Sequence, residues 1–443
     1  MPTRREYVSG VGAITAVAIA GCSDDGGNGN GNGDTDADTG NGDASGEDLE
    51  IMIAWTGEDG GQGFENLHEG FQEEYPDVET VVNDNPGGAG TGLQTALDTR
   101  MFDNDPPGTW GFFPGPDLTD YAEGGLLGDV SEEVWEEEGL EEPIPEYLSD
   151  LCYFDEIGYV AVPIEFNRLN NLFYNVEIVE EAGVDPEAIE TPSDLTDAMA
   201  QVESETDAVG IAQSTQEPWT VLQLWETVLL GEYDFETYTS YIDGEIESIE
   251  DEVRDTLEIV VDYTDYNNPD AGSVDFTEAT SQFIGEEAAF LHDGQWAVGN
   301  FTRADDYEYD EDWHAVAYPG SEDVFMGQCS AFMYPADNPA PEAAINWLRY
   351  TGTNDAQIRF NSAKGGIPCR DDAPIDDDEW EFSEHQQVMY DDFLEADNLT
   401  GTISHNNVTL PQISTNVYDV FSAFSGTWDV DDTYEGLVDA FDI

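Results

Sequence analysis

Acidic side chains so dominate this sequence that they fix the conditions under which it can fold. Asp and Glu number 100 against 10 Lys and Arg, for a formal net charge of -90. The charge is spread along the chain, in runs such as Glu136-Glu137-Glu138 and Asp376-Asp377-Asp378-Glu379. In dilute buffer, where charges interact over tens of ångströms, such a chain repels itself; at molar salt the screening length falls to about 3 Å and the repulsion largely vanishes. A disordered acidic polymer does not fit, because 39% of residues are hydrophobic and 12% aromatic, enough to pack a core. The sequence reads as a folded protein adapted to very high salt. Nucleic acid is excluded as a partner, since there is no basic surface to meet phosphates. A length of 443 residues is too much for one ordinary core and suits two lobes.

The first 22 residues carry a localisation signal. Arg4-Arg5 precedes an apolar or small run from Val8 to Ala20, which resembles a twin-arginine export signal. Ile19-Ala20-Gly21-Cys22 resembles a lipobox, in which the Cys22 thiol receives lipid and cleavage frees its amine. The run is too short for a comfortable membrane span, which needs about 20 residues. Residues 23–48 hold almost nothing that can bury apolar surface and read as a disordered tether. Asp34-Thr35-Asp36-Ala37-Asp38 starts like a calcium loop but lacks the Gly and Glu that such a loop needs, at Thr39 and Ser45. With Cys22 lipidated, Cys152, Cys329 and Cys369 remain, so at most one disulfide forms within the chain. Cys329 with Cys369 is one candidate pairing, which no spacing rule fixes.

The folded body, 49–443, begins with the alternating strand Leu49–Trp55, then a helix with Phe64, Leu67, Phe71 and Tyr75 at helical spacing, stopped by Pro76. Val78–Val82 reads as the next strand, 86–92 as a glycine-rich loop and Leu93–Phe102 as a helix. This alternation predicts an α/β lobe. Tyr159–Ile164 reads as a strand leading to a crossing point. Thr191-Pro192 caps a helix, and Trp219–Leu230 and Ala343–Leu348 read as further helices. Catalytic motifs fail one after another: there is no GxSxG, Ala363 breaks a P-loop at Lys364, the glycines at 87–92 do not make GxGxxG, and the histidines form no HExxH. Among 100 acids, carboxylate pairs carry almost no information about glycoside hydrolysis. No cofactor or metal is called for.

Several segments together resemble the extracellular sugar-binding proteins of ABC importers. They are Pro106-Pro107-Gly108-Thr109-Trp110 with Asp120–Leu127, Tyr159–Pro163 with Asn170 and Leu172–Asn175, Phe283–Phe290 with Gly294-Gln295-Trp296-Ala297, and Gln357, Phe360-Asn361 and Lys364–Pro368. The resemblance spans about 49 to 405 and implies two α/β lobes of the periplasmic-binding-protein type, joined by crossing hinge strands around an interlobe ligand cleft. It implies lobe 1 at about 49–163 plus 294–350 and lobe 2 at about 164–293 plus 351–443. A sugar or related small solute is the implied cargo and the membrane subunits of a permease the implied partner, with the lipid anchor holding the protein at the outer face of the membrane.

Sugars expose C–H faces and hydroxyl edges, so aromatic platforms with polar side chains at the rim suit them. By match to the family the candidate contacts are Trp55, Glu58, Asn167, Arg168, Gln295, Trp296, Lys364 and His405, with Trp219 and Trp225 as stacking platforms. The bland reading of the tryptophans is core, of Arg168 and Lys364 an ion pair, of Glu58 and His405 a solvated surface. Gly111 and Phe113 stand where the family often has Gln and His, and Gln295 where it has Asp, so glucose is not inherited as cargo. A polyol, glycerol phosphate or oligosaccharide is the alternative on the same fold; a surface glycosidase or adhesion module is the alternative of another class.

Overall fold

The computed structural model describes residues 48–442 except 56–59, 86–90, 305–306, 376–379 and 381. The export signal, Cys22, the tether up to residue 47 and Glu58 lie outside the described residues. Among the described residues twelve strands run in chain order: β1 (Leu49–Ile53), β2 (Thr80–Asp84), β3 (Thr109–Phe112), β4 (Tyr153–Phe154), β5 (Gly158–Tyr159), β6 (Ala161–Arg168), β7 (Asn171–Asn175), β8 (Val209–Ala212), β9 (Ala288–Leu291), β10 (Trp313–Ala317), β11 (Val324–Met333) and β12 (Asn398–Thr400). Apart from the β4–β5 hairpin they form two sheets.

The first sheet has the order β12-β11-β3-β1-β2, with β6 antiparallel to β11. Its β1, β2 and β3 are parallel, the arrangement expected of strand–helix alternation. The predicted amphipathic helix forms as Gly61–Glu74 and buries Phe64, Leu67 and Phe71 against this sheet's core. The second sheet has the order β10-β7-β9-β8, and its core takes in the helices Pro192–Glu205, Pro218–Glu232 and Glu250–Tyr263. Thr191 caps the first of these by accepting from Asp194 N, as its sequence predicts. Among the described residues no helix is long and apolar enough to cross a membrane.

The chain passes between the lobes where β6 of one sheet runs straight into β7 of the other, and again between β10 and β11. A third passage follows β12, after which Ile403, Val417 and Phe421 join the second core. The expected lobe assignment is corrected at two places. Residues around 297–318 pack with lobe 2, because β10 pairs with β7 and Trp313 and Phe301 fill that sheet's core. Residues around 356–393 pack with lobe 1, because Phe360, Ile367, Met389 and Phe393 join its core and Ile367 bridges to Phe166. Cys329 and Cys369 are not paired: with Cys152 they are buried free thiols in lobe 1, and burial raises the pKa of Cys152 and Cys369.

Candidate functional site

The crossing is stitched by one side chain. Asn170, buried between β6 and β7, donates to Ser321 Oγ at 2.9 Å and Val324 O at 2.8 Å, and accepts from Met326 N and Arg168 Nε at 3.2 Å. Every polar atom of that amide is used to hold two crossing segments together, so the residues flanking them have fixed positions.

On the lobe 2 side, Trp219, Gln223 and Glu226 recur at spacings of four and three along the Pro218–Glu232 helix and so share one face. Glu226 Oε1 and Oε2 accept from Ile403 N at 2.7 Å and Ser404 N at 3.2 Å, and Gln223 Oε1 lies 2.9 Å from His405 Nε2. With the amide oxygen as acceptor, His405 carries its proton on Nε2, and burial holds the ring neutral by lowering its pKa. The loop is thereby fixed so that His405 meets two half-buried indoles, Trp219 at 5.8 Å and Trp296 at 5.3 Å between ring centres. The indoles lie 6.1 Å apart at 65° to each other. The three rings form an aromatic corner rather than a stack. Beneath it a cavity of about 10 Å³ is lined by Gln213, Trp219, Gln223, His292 and Asp293, among others. Asp293 accepts from Gly294 N at 2.8 Å and Thr280 Oγ1 at 3.3 Å, yet burial pushes its carboxyl up to about 7.

On the lobe 1 side, half-buried Trp55 follows β1 and packs edge-on against Phe332 and Phe360, with centroids at 5.6 and 5.1 Å. The departure from the family at Gly111 has a steric cause here. A Cβ at that position would come within 2.5 Å of the Trp55 ring, so the indole lies on bare backbone. Beside it runs the stem of Lys364, whose Nζ is 3.9 Å from Glu165 Oε1. Gln295 joins the two sides: its Nε2 donates to Gly365 O at 2.6 Å and its Oε1 accepts from Arg168 N at 3.3 Å.

The structure thus brings Trp219, Trp296 and His405 together on one lobe and Trp55 and Lys364 on the other, linked through Gln295. Other expectations are corrected. Trp225 is 0% exposed, donates to Thr256 Oγ1 at 3.0 Å and packs on Tyr241 and Phe421, so it is core and not a platform. Arg168 is 2% exposed and ion-pairs with Asp392 at 2.6 Å while its guanidinium covers the Phe325 ring, so it braces the hinge. Asn167 is buried within β6 opposite Gln328, and Gln295, fully buried, is a bridge between lobes. Sequence reasoning missed Gln223, Glu226, Glu165 and Asp293. The first two left a signal: they are polar residues inside a run that is buried from Thr220 to Gly231.

The profile of the family described as bacterial extracellular solute-binding protein matches residues 66–388. The chain belongs to this family. It is 34% identical to the xylose/arabinose-binding protein XacG of Haloferax volcanii over 453 aligned positions, covering 99% of this chain and 97% of that protein. The bacterial solute receptor AcbH, described as exclusive for β-D-galactopyranose, superposes with a TM-score of 0.75 over 90% of this chain and 98% of its own at 14% identity. A protein of xylan utilisation from Caldanaerobius polysaccharolyticus gives a TM-score of 0.76 over 89% of this chain and 100% of its own, also at 14% identity. Both likenesses are of fold, and they agree with two α/β lobes hinged at crossing strands.

Proposed function

We propose that this chain is the substrate-binding subunit of an ABC importer, capturing a sugar by closure of its lobes and delivering it unaltered to a membrane permease. The observation that carries the reading is the aromatic corner of Trp219, Trp296 and His405, held by Gln223 and Glu226 on the lobe that Gln295 ties to Gly365, the residue after Lys364, on the other. Indole faces suit the C–H face of a pyranose, and the imidazole and the ammonium suit its hydroxyls. Trp55 and Lys364 supply the opposing wall. The relative that binds xylose and arabinose makes a pentose the first cargo to test. The sequence around Arg4-Arg5 and Cys22 supports twin-arginine export and a lipid anchor, and the charge of -90 supports a high-salt exterior.

The test is a thermal-shift panel at molar salt with D-xylose, L-arabinose, D-glucose, D-galactose and glycerol, followed by recovery of the ligand. Binding to the native state raises the unfolding temperature. A shift with one or more sugars, recovered intact, is expected; no shift with any sugar, or a ligand recovered chemically altered, refutes the reading.

A further inference from the structure

The turn Asp293-Gly294-Gln295-Trp296 carries both the interlobe bridge and one indole of the aromatic corner, and a buried carboxyl underlies it. Asp293 Oδ1 accepts from Gly294 N at 2.8 Å, and Asp293 O accepts from Asn171 Nδ2 at 3.3 Å, which ties the turn to the crossing strands. Gly294 lets the Trp296 ring lie on bare backbone, since a Cβ there would come within 2.2 Å of it. The plane of this indole therefore follows the turn, and the turn follows its carboxyl. The indole N–H of Trp296 also favours the charged form of that carboxyl.

Two proton arrangements are built in around Asp293. The Thr280 hydroxyl has one proton and two acceptors, Phe276 O at 2.8 Å and Asp293 Oδ2 at 3.3 Å. When Asp293 is ionised, the hydroxyl turns its proton from Phe276 O towards the carboxylate. When Asp293 is neutral, its own O–H donates to Thr280 Oγ1 and Phe276 O keeps its donor. The surroundings favour the neutral arrangement. Asp293 is buried, and Glu217, just ahead of the Pro218–Glu232 helix, repels a second negative charge. His292, beside it in sequence, lies 3.1 Å from Thr227 Oγ1 and is held neutral by burial, as is His405 across the aromatic corner. Neither imidazole supplies a compensating cation.

We propose that Asp293 is the positioning residue of the aromatic corner and that cargo binding takes up a proton there. The inference rests on the reading that cargo is held against Trp219 and Trp296. The cavity of about 10 Å³ beside the carboxyl has room for about one water and none for a sugar ring, so cargo acts on Asp293 by excluding water and not by contact. Excluding water makes the charged form costlier still. Binding thus draws Asp293 towards its neutral form. By linkage, affinity is full below the pH at which the free protein releases this proton and declines above it. A carboxyl that only caps the turn contributes to stability and exchanges no proton when cargo binds.

The experiment is titration calorimetry at molar salt with D-xylose, L-arabinose, D-glucose and D-galactose, on wild type and Asp293→Asn. Each titration is run from pH 6 to 9 in two buffers of different ionisation heat, which counts the protons exchanged. The free protein releases the Asp293 proton at about 7. Wild type is expected to take up about half a proton per sugar at pH 7.5 and to bind about tenfold more weakly at pH 9 than at pH 6. Asp293→Asn keeps an acceptor for Gly294 N and is expected to bind with no proton uptake and with affinity independent of pH. If that variant does not fold, Asp293→Ser, which can also accept within the turn, takes its place with the same expectation. Wild type that binds sugar without taking up a proton overturns the proposal alone. So does a folded variant that keeps the wild-type pH dependence. Absence of binding to every sugar at every pH overturns the cargo reading and the proton linkage with it.

Discussion

Replacing Glu226 by Gln converts the anchor of the His405 loop from a titrating group into a silent one. Burial, opposed by the donors of Ile403, Ser404 and Tyr241, raises the Glu226 pKa from its ordinary 4.5 to about 7. Between those values the native state holds a proton that the unfolded chain has released. The stabilisation is therefore complete below about pH 4.5 and is lost as pH rises through 7. A displacement of that size corresponds to about 3 kcal/mol. The amide of Glu226→Gln mimics the protonated acid at every pH, at the cost of one mismatched N–H and a pH-independent offset of about 1–3 kcal/mol. The assay is urea unfolding of both proteins at molar salt and at pH 5, 6, 7 and 8. Every other titrating group, including Asp293 and the buried His292, is common to both and cancels in the difference. The stability of wild type minus that of the variant is expected to fall by about 2–3 kcal/mol across the range, most steeply near pH 6 and levelling off above pH 7. Curves that stay parallel would refute the claim that a desolvated, proton-binding carboxyl holds this loop.

Further outcomes follow from the same contacts. Trp225→Ala is expected to lower stability by about 3–5 kcal/mol, the usual cost of an emptied aromatic core site, and calorimetric unfolding with a change under about 1 kcal/mol would contradict its place in the core. Gln295→Ala removes hydrogen bonds at 2.6 and 3.3 Å between the lobes, and sugar affinity measured by titration is expected to drop about tenfold. Unchanged affinity would show that the bridge does not set the closed geometry. In ~10 mM salt the chain is expected to lose its cooperative melting transition as acidic repulsion goes unscreened, and a sharp transition there would contradict this.

Local order was legible because the periods are clean. Phe64, Leu67 and Phe71 mark a helix face, and Thr191-Pro192 marks a cap, from short-range chemistry alone. The crossing at Asn170 was legible through its motif, although the reason for the residue, an amide satisfied by Ser321, Val324 and Met326, is a long-range fact. The lobe assignment failed around 297–318 and 356–393 because no local pattern says which sheet β10 joins or which core Phe360 enters. The tryptophans show the same limit. Trp219 and Trp225 lie on one helix that is buried on nearly every face, so amphipathicity cannot separate platform from core; only the neighbours Thr256 and His405 do. Gly111 looked like a lost polar contact and is instead the floor beneath Trp55.

Sugar binding at the aromatic corner is the property on which the proposed function depends. Titration calorimetry of D-xylose and L-arabinose at molar salt, on wild type beside Trp219→Ala, measures this directly. Binding of one sugar per chain to wild type is expected, weakened at least about tenfold by Trp219→Ala through loss of one stacking face, with the unfolding temperature of the unliganded variant largely kept because Trp219 is only half-buried. A sugar isotherm indifferent to Trp219, or no heat of binding with any sugar, would contradict it.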